Sequence, residues 1–139
     1  MEIKRIDDDI SVAGQIKASD VAAIAKAGFR SILCNRPDGE GFLQPEYSGI
    51  EDAAKEAGIA FIYQPVSSKG IQEADVSDFE QSCATLPKPV LAYCRTGTRC
   101  TVLWSLTQAG KREFDEVLSM TAAAGYDMSM LAGRFAPEA

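Results

Sequence analysis

Apolar positions along the chain switch repeatedly between strand-like runs and helix-like spacing, and the switches mark an alternating series of elements. Glu2 to Ile6 and Ile10 to Ile16 are short apolar stretches joined by Asp7-Asp8-Asp9, which predicts a hairpin at a sheet edge with the acidic triplet solvated. Ser19 is placed to cap a helix whose stripe is Val21, Ile24 and Ala25 and which stops at Gly28. A strand follows from Phe29 to Cys34. Pro45 suits the first turn of a helix carrying Tyr47, Ile50, Ala54 and Ala57 and ending at Gly58, and Ala60 to Val66 is the next strand. After the break Ser67-Ser68-Lys69-Gly70, the positions Val76, Phe79, Cys83 and Leu86 line one face of a helix over about Glu73 to Leu86. Val90-Leu91-Ala92, entered through Pro87-Lys88-Pro89, has no helical spacing and reads as a buried central strand. Val102, Leu103 and Leu106 then return to helical spacing, and Phe114, Val117, Leu118 and Thr121 stripe another helix that closes near Gly125. Met128 to Arg134 adds a last turn, with the chain fraying from Phe135. Strand and helix alternate through three βα units, which predicts an α/β fold of three layers, α/β/α, around a mostly parallel sheet.

Composition narrows this picture. The 139 residues, 46% hydrophobic and 24% charged, suit one globular domain spanning 1–139. A formal net charge of -6 is the wrong sign for general nucleic-acid binding, so any anion site must be local. No apolar run approaches the roughly 18 residues that cross a bilayer, and Met1-Glu2-Ile3-Lys4-Arg5 lacks the apolar core of a signal peptide, so a cytoplasmic protein without a membrane partner is expected. There, the four cysteines are free thiols rather than a disulfide framework, and none is spaced Cys-x-x-Cys. The chain has no histidine, which removes Ser-His-Asp and Cys-His catalysis and histidine metal sites; no metal or cofactor is called for.

The chemistry concentrates where the central strand meets its helix. Cys94 stands at the strand's carboxyl end, facing the free N–H groups and dipole of the helix that follows, an environment that lowers a thiol pKa. The intervening residues Arg95, Thr96, Gly97 and Thr98 can curl their amides into an anion-binding nest, with Gly97 relieving the steric cost. Arg99 adds a two-pronged donor for an oxyanion. Cys94 and Arg99 are the catalytic candidates. Asn35-Arg36-Pro37-Asp38-Gly39-Glu40-Gly41 is turn chemistry at the end of another strand; it either brings Arg36 and Asp38 to the pocket or is a plain turn with a surface charge. Ser67, Ser68 and Cys100 complete the possible pocket, Cys100 as packing under the helix or as a resolving thiol; Tyr93 and Trp104 read as core or pocket wall.

A phosphate-cleaving loop of the tyrosine-phosphatase type has five residues between cysteine and arginine, and this loop has four, with Cys100 in the arginine's place. Cys94-Arg95-Thr96-Gly97-Thr98-Arg99 instead resembles a rhodanese loop, Cys-Arg-x-Gly-x-Arg, at every position. Across the whole chain, Tyr63-Gln64-Pro65-Val66, a helix, then Pro89 to Cys94 is similar to the order of a dual-specificity phosphatase. Together with Asn35 to Glu40 it resembles, from Ile3 to Leu131, the phosphatase-like domain of beta-lactamase-hydrolase-like proteins. The resemblance implies a protein-tyrosine-phosphatase-like fold with a rhodanese-length loop, in a family whose members carry both phosphatase and sulfur-transferase labels and are linked to sulfide and persulfide oxidation. It also implies a proton-donating aspartate just after Val66, where this chain has Ser67 and Ser68; Asp38, Asp75 and Asp78 are the remaining candidates to replace it. The short loop and the missing acid together predict a sulfurtransferase. Cys94 would take sulfane sulfur from a small anionic donor such as thiosulfate or glutathione persulfide and pass it to a thiol acceptor or cyanide, above a ring of amides too tight for efficient ester hydrolysis. The alternatives are a cysteine-dependent phosphatase of phosphotyrosine or small phosphoesters and, third, a non-catalytic anion-binding module.

Overall fold

A computed structural model describes residues 1–135. Five strands form one sheet in the order β1-β2-β5-β3-β4, where β1 is Ile3–Arg5, β2 Ile10–Ala13, β3 Ser31–Cys34, β4 Ala60–Tyr63 and β5 Val90–Tyr93. β2, β5, β3 and β4 are mutually parallel, and β1 pairs antiparallel with β2 at the edge. The hairpin is closed by the Asp7 carboxylate, which accepts the N–H groups of Asp9 (2.8 Å) and Ile10 (3.0 Å).

The period-2 alternation of the strands divides the core in two. Val12, Leu33, Val90 and Ala92 point to one face and pack against Phe79 of α3 (Glu73–Thr85), Leu103 and Trp104 of α4 (Thr98–Thr107) and Val117 of α5 (Phe114–Ala123). Ala13, Ile32, Leu91 and Tyr93 point to the other, against Val21 and Ile24 of α1 (Val21–Lys26) and Ile50 and Ala54 of α2 (Tyr47–Glu56). β5, buried on both faces, is the middle strand of this three-layer α/β/α sandwich. At the far end α6 (Ala132–Phe135) packs Phe135 against Phe114, so Phe135 is seated rather than frayed; residues 136–139 lie outside the described residues.

Several boundaries differ from expectation. Ser19 does not cap α1: it lies within a short 3₁₀ turn that precedes the helix, and that turn is closed by the Asp20 carboxylate, which accepts the Lys17 N–H at 2.9 Å. β2 and β4 stop three residues early because the chain bends into the functional loops, where Gln15 N–H turns to the Arg95 carbonyl and Val66 N–H to that of Asn35. The loops after all four parallel strands therefore converge at their carboxyl ends, where α/β sheets build sites. Among the described residues, no helix is long and apolar enough to cross a membrane.

Candidate active site

Cys94 is the first residue past β5 and is almost wholly buried, at 1% exposure. Gly97 turns the chain with φ +89°, the left-handed region that costs a glycine least, and α4 starts at the next residue. The turn sends the Gly97 N–H back to the Cys94 sulfur at 3.1 Å. The Cys100 thiol donates to the same sulfur, and the amides of Cys100, Thr96 and Gly97 also face it; together they outweigh burial and bring the Cys94 pKa down to about 5. Cys100, fully buried in the first turns of α4, is pushed the other way by burial and by the neighbouring Cys94, so it remains a protonated donor. Burial likewise raises the Cys34 thiol, which donates to the Arg36 carbonyl.

A cleft of about 610 Å³ opens over Cys94, lined by Glu40, Ser67, Ser68, Ile71, Arg95, Thr96, Thr98 and Arg99. The loop from Arg95 to Arg99 shares the walls of this cleft with Glu40, from the segment after β3, and with Ser67, Ser68 and Ile71, from the segment after β4. Arg99 forms one wall. Its Nη1 donates to the carbonyls of Val66 (2.9 Å) and Asn35 (3.4 Å) and its Nη2 to Glu40 Oε1 (3.0 Å). A guanidinium has five N–H donors, so Nε–H and one Nη2 hydrogen are left for a bound anion among the described residues.

Arg36 and Asp38 do not line this cleft. Arg36 is buried behind it, where its Nε donates to Glu40 Oε1 (3.1 Å) and its Nη1 to Gln15 Oε1 (3.0 Å). Asp38 caps α2 by accepting the Tyr47 N–H at 2.9 Å, a structural task at the far side of the loop. Asp75 likewise caps α3, accepting the Gln72 N–H at 2.8 Å, and neither it nor Asp78 lines the cleft.

Sequence reasoning missed Glu40. Its Oε1 bridges Arg36 and Arg99; burial on its own would raise the carboxyl, but the hydrogen bonds of Arg99 and then Arg36, and their charges, hold it below the ordinary glutamate value. The Arg36–Glu40 spacing of four could have suggested the first of these pairs, but nothing local announces the second, 59 residues away. Tyr126, whose hydroxyl donates to the Thr96 carbonyl at 2.9 Å, was also missed.

Comparison with known proteins bears on what this arrangement does. Residues 2–111 match the family model described as beta-lactamase hydrolase-like protein, phosphatase-like domain. A beta-lactamase hydrolase-like protein of Xylella fastidiosa is 35% identical over 130 residues, covering 92% of this chain; the chain spans 30% of that relative's length. The crystal structure of a candidate phosphatase from Neisseria meningitidis superposes with a TM-score of 0.87 at 37% identity, covering 97% of this chain and 96% of that one. The core catalytic domain of the PP-IP phosphatase SIW14 from S. cerevisiae shares the fold alone, with a TM-score of 0.70 at 15% identity over 96% of this chain and 82% of that one. The fold is therefore protein-tyrosine-phosphatase-like, as the sequence order implied. These matches overturn the sulfurtransferase expectation, and with it the sulfur donor and thiol acceptor: the family model and the solved relative both carry phosphatase names. On the strength of the match over residues 2–111, the chain belongs to the family of phosphatase-like domains of beta-lactamase hydrolase-like proteins.

Proposed function

We propose that the domain is a cysteine-dependent phosphatase acting on phosphomonoesters with a stable leaving group, aryl phosphates first among them. The observation that carries the reading is the acidified Cys94 sulfur at the base of an open cleft whose wall carries Arg99 and whose rim carries Arg95. With a pKa of about 5, the sulfur is a thiolate at neutral pH and needs no base to activate it. It attacks phosphorus, forming the S–P bond as the P–O bond breaks. The free donors of Arg99 and the loop bind the oxygens on which charge accumulates. Water then attacks the phosphocysteine, breaking the S–P bond, releasing inorganic phosphate and restoring the thiolate.

The leaving oxygen sets the substrate class. Ser67 and Ser68 cannot supply a proton as an acid would, and Glu40, held ionised between two arginines, has none to give. Forgoing general-acid help costs about 10²–10⁴ in rate for a poor leaving group. A phenolate leaving group, pKa about 10, tolerates that loss far better than an alkoxide. The missing aspartate thus narrows the substrate rather than changing the reaction.

The test is hydrolysis of para-nitrophenyl phosphate by the protein and by Cys94→Ser. Turnover that falls by roughly 10³-fold or more in Cys94→Ser supports the reading. Absence of turnover by the unaltered protein, or a Cys94→Ser variant as active as its parent, overturns it.

A further inference from the structure

The peptide unit between Thr96 and Gly97 is held at both ends. Its N–H donates to the Cys94 sulfur at 3.1 Å, and its carbonyl accepts the hydroxyl of Tyr126 at 2.9 Å. In a planar trans peptide the C=O and N–H point in opposite directions, so a donor that fixes the oxygen on the outside of the loop fixes the N–H toward the inside. The carbonyl before it, that of Arg95, is held outward in the same way by the Gln15 N–H at 3.2 Å. Tyr126 is itself anchored: its N–H bonds to the Thr121 carbonyl at 2.9 Å, and its ring is half-buried against the cluster of Leu106, Met128 and Leu131. Its approach to the loop leaves no space at residue 97, where a Cβ would lie 2.2 Å from the phenolic oxygen.

We propose that Tyr126 is a positioning residue for the nucleophile, its hydroxyl holding the Thr96–Gly97 peptide so that the Gly97 N–H faces the Cys94 sulfur. The proposal rests on Cys94 as the reactive thiol of the site, but it concerns the ionisation of that thiol and stands apart from what the thiolate attacks. The hydroxyl acts through the peptide and touches neither the sulfur nor a substrate. Burial and the nearby Cys94 and Cys100 raise the Tyr126 phenol, which keeps it a donor across the range in which Cys94 titrates. The other titratable groups facing Cys94 are Cys100 from α4 and Cys34 from β3, with Glu40, Arg95 and Arg99 along the cleft; substitution at 126 leaves all of them in place.

The test reads the thiol directly and needs no substrate. The rate of Cys94 alkylation by iodoacetamide, followed by mass spectrometry at that residue, is measured against pH for the unaltered protein, Tyr126→Phe and Tyr126→Ala. The proposal expects the midpoint to rise by roughly half to one pH unit in Tyr126→Phe, as one of several hydrogen bonds to the thiolate is weakened, and by a similar amount in Tyr126→Ala. An unmoved midpoint in Tyr126→Phe overturns the proposal, and so does a shift confined to Tyr126→Ala, which would assign the effect to ring packing. Phosphatase assays can fail without altering this result, and the titration can fail while the phosphatase reading stands.

Discussion

Removing the Cys100 thiol puts the electrostatics of the Cys94 sulfur to a quantitative test. Cys94 falls from the ordinary 9.0 to about 5, a drop worth about 5 kcal/mol at about 1.4 kcal/mol per unit, and the first of its causes is the hydrogen bond from Cys100. Hydrogen bonds to charged groups contribute about 1.5–3 kcal/mol, and a thiol is a weak donor, so Cys100→Ala takes the low end and raises the Cys94 pKa by about one unit. The sign then fixes the assay. At pH 7 the thiolate remains the major form with a pKa near either 5 or 6, so alkylation and turnover change little. At pH 5.5, where a one-unit rise takes the thiolate from the majority to the minority, both fall roughly threefold. Linkage adds a second readout. A thiol whose folded pKa is depressed contributes stability that is fully present above its unfolded pKa of 9.0 and is lost as pH falls toward 5, so the unaltered protein gains stability on Cys94→Ala over that window, and Cys100→Ala compresses the gain. A Cys100→Ala protein whose alkylation midpoint stays where it was, or moves down, refutes this account of the thiolate.

Two further outcomes follow from the cleft wall. Glu40→Gln leaves Arg36 and Arg99 without their shared counter-charge, and because all three side chains are largely buried, urea denaturation at neutral pH should find about 3 kcal/mol lost. Glu40 contributes stability that is present above pH 4.5 and lost as pH falls through its lowered folded pKa, so the variant also loses that part of the acid limb. Ser67→Asp places a carboxyl at the cleft position where the dual-specificity enzymes carry their acid; turnover of an alkyl phosphate should rise roughly tenfold or more while that of para-nitrophenyl phosphate stays within about twofold, and an equal change in both substrates would count against leaving-group control.

What the sequence disclosed was whatever chemistry is local in the chain. The Val90 run, the glycine at 97 and the stripe of α4 are consecutive, so the thiol at a strand–helix junction could be found without coordinates. The parallel sheet was equally readable, since each strand carries its own pattern. Glu40 and Tyr126 were not, because they reach the loop across 59 and 30 residues and their side chains look like any surface glutamate and tyrosine until the fold brings them in. Asp38 misled for the opposite reason: Asx chemistry beside a strand end serves a helix cap as readily as a pocket, and here it caps α2. The sulfurtransferase expectation drew on the four-residue spacing from Cys94 to Arg99 and on the serines at 67 and 68, and the match of residues 2–111 to a phosphatase-like domain overturned it. A count of residues between Cys94 and Arg99 does not register what other segments add: Glu40, Ser67 and Ser68 also line the cleft, and Arg99 is bonded to Glu40 and the Val66 carbonyl.

The most direct measurement is a rapid-quench reaction with an aryl phosphate, with the quenched protein digested and its phosphorylated residue identified. A phosphoryl group on Cys94, formed no more slowly than turnover and absent from Cys94→Ser, is the predicted result. Phosphate released at the full rate with Cys94 never modified, or with a Cys94→Ser protein keeping pace, would contradict it.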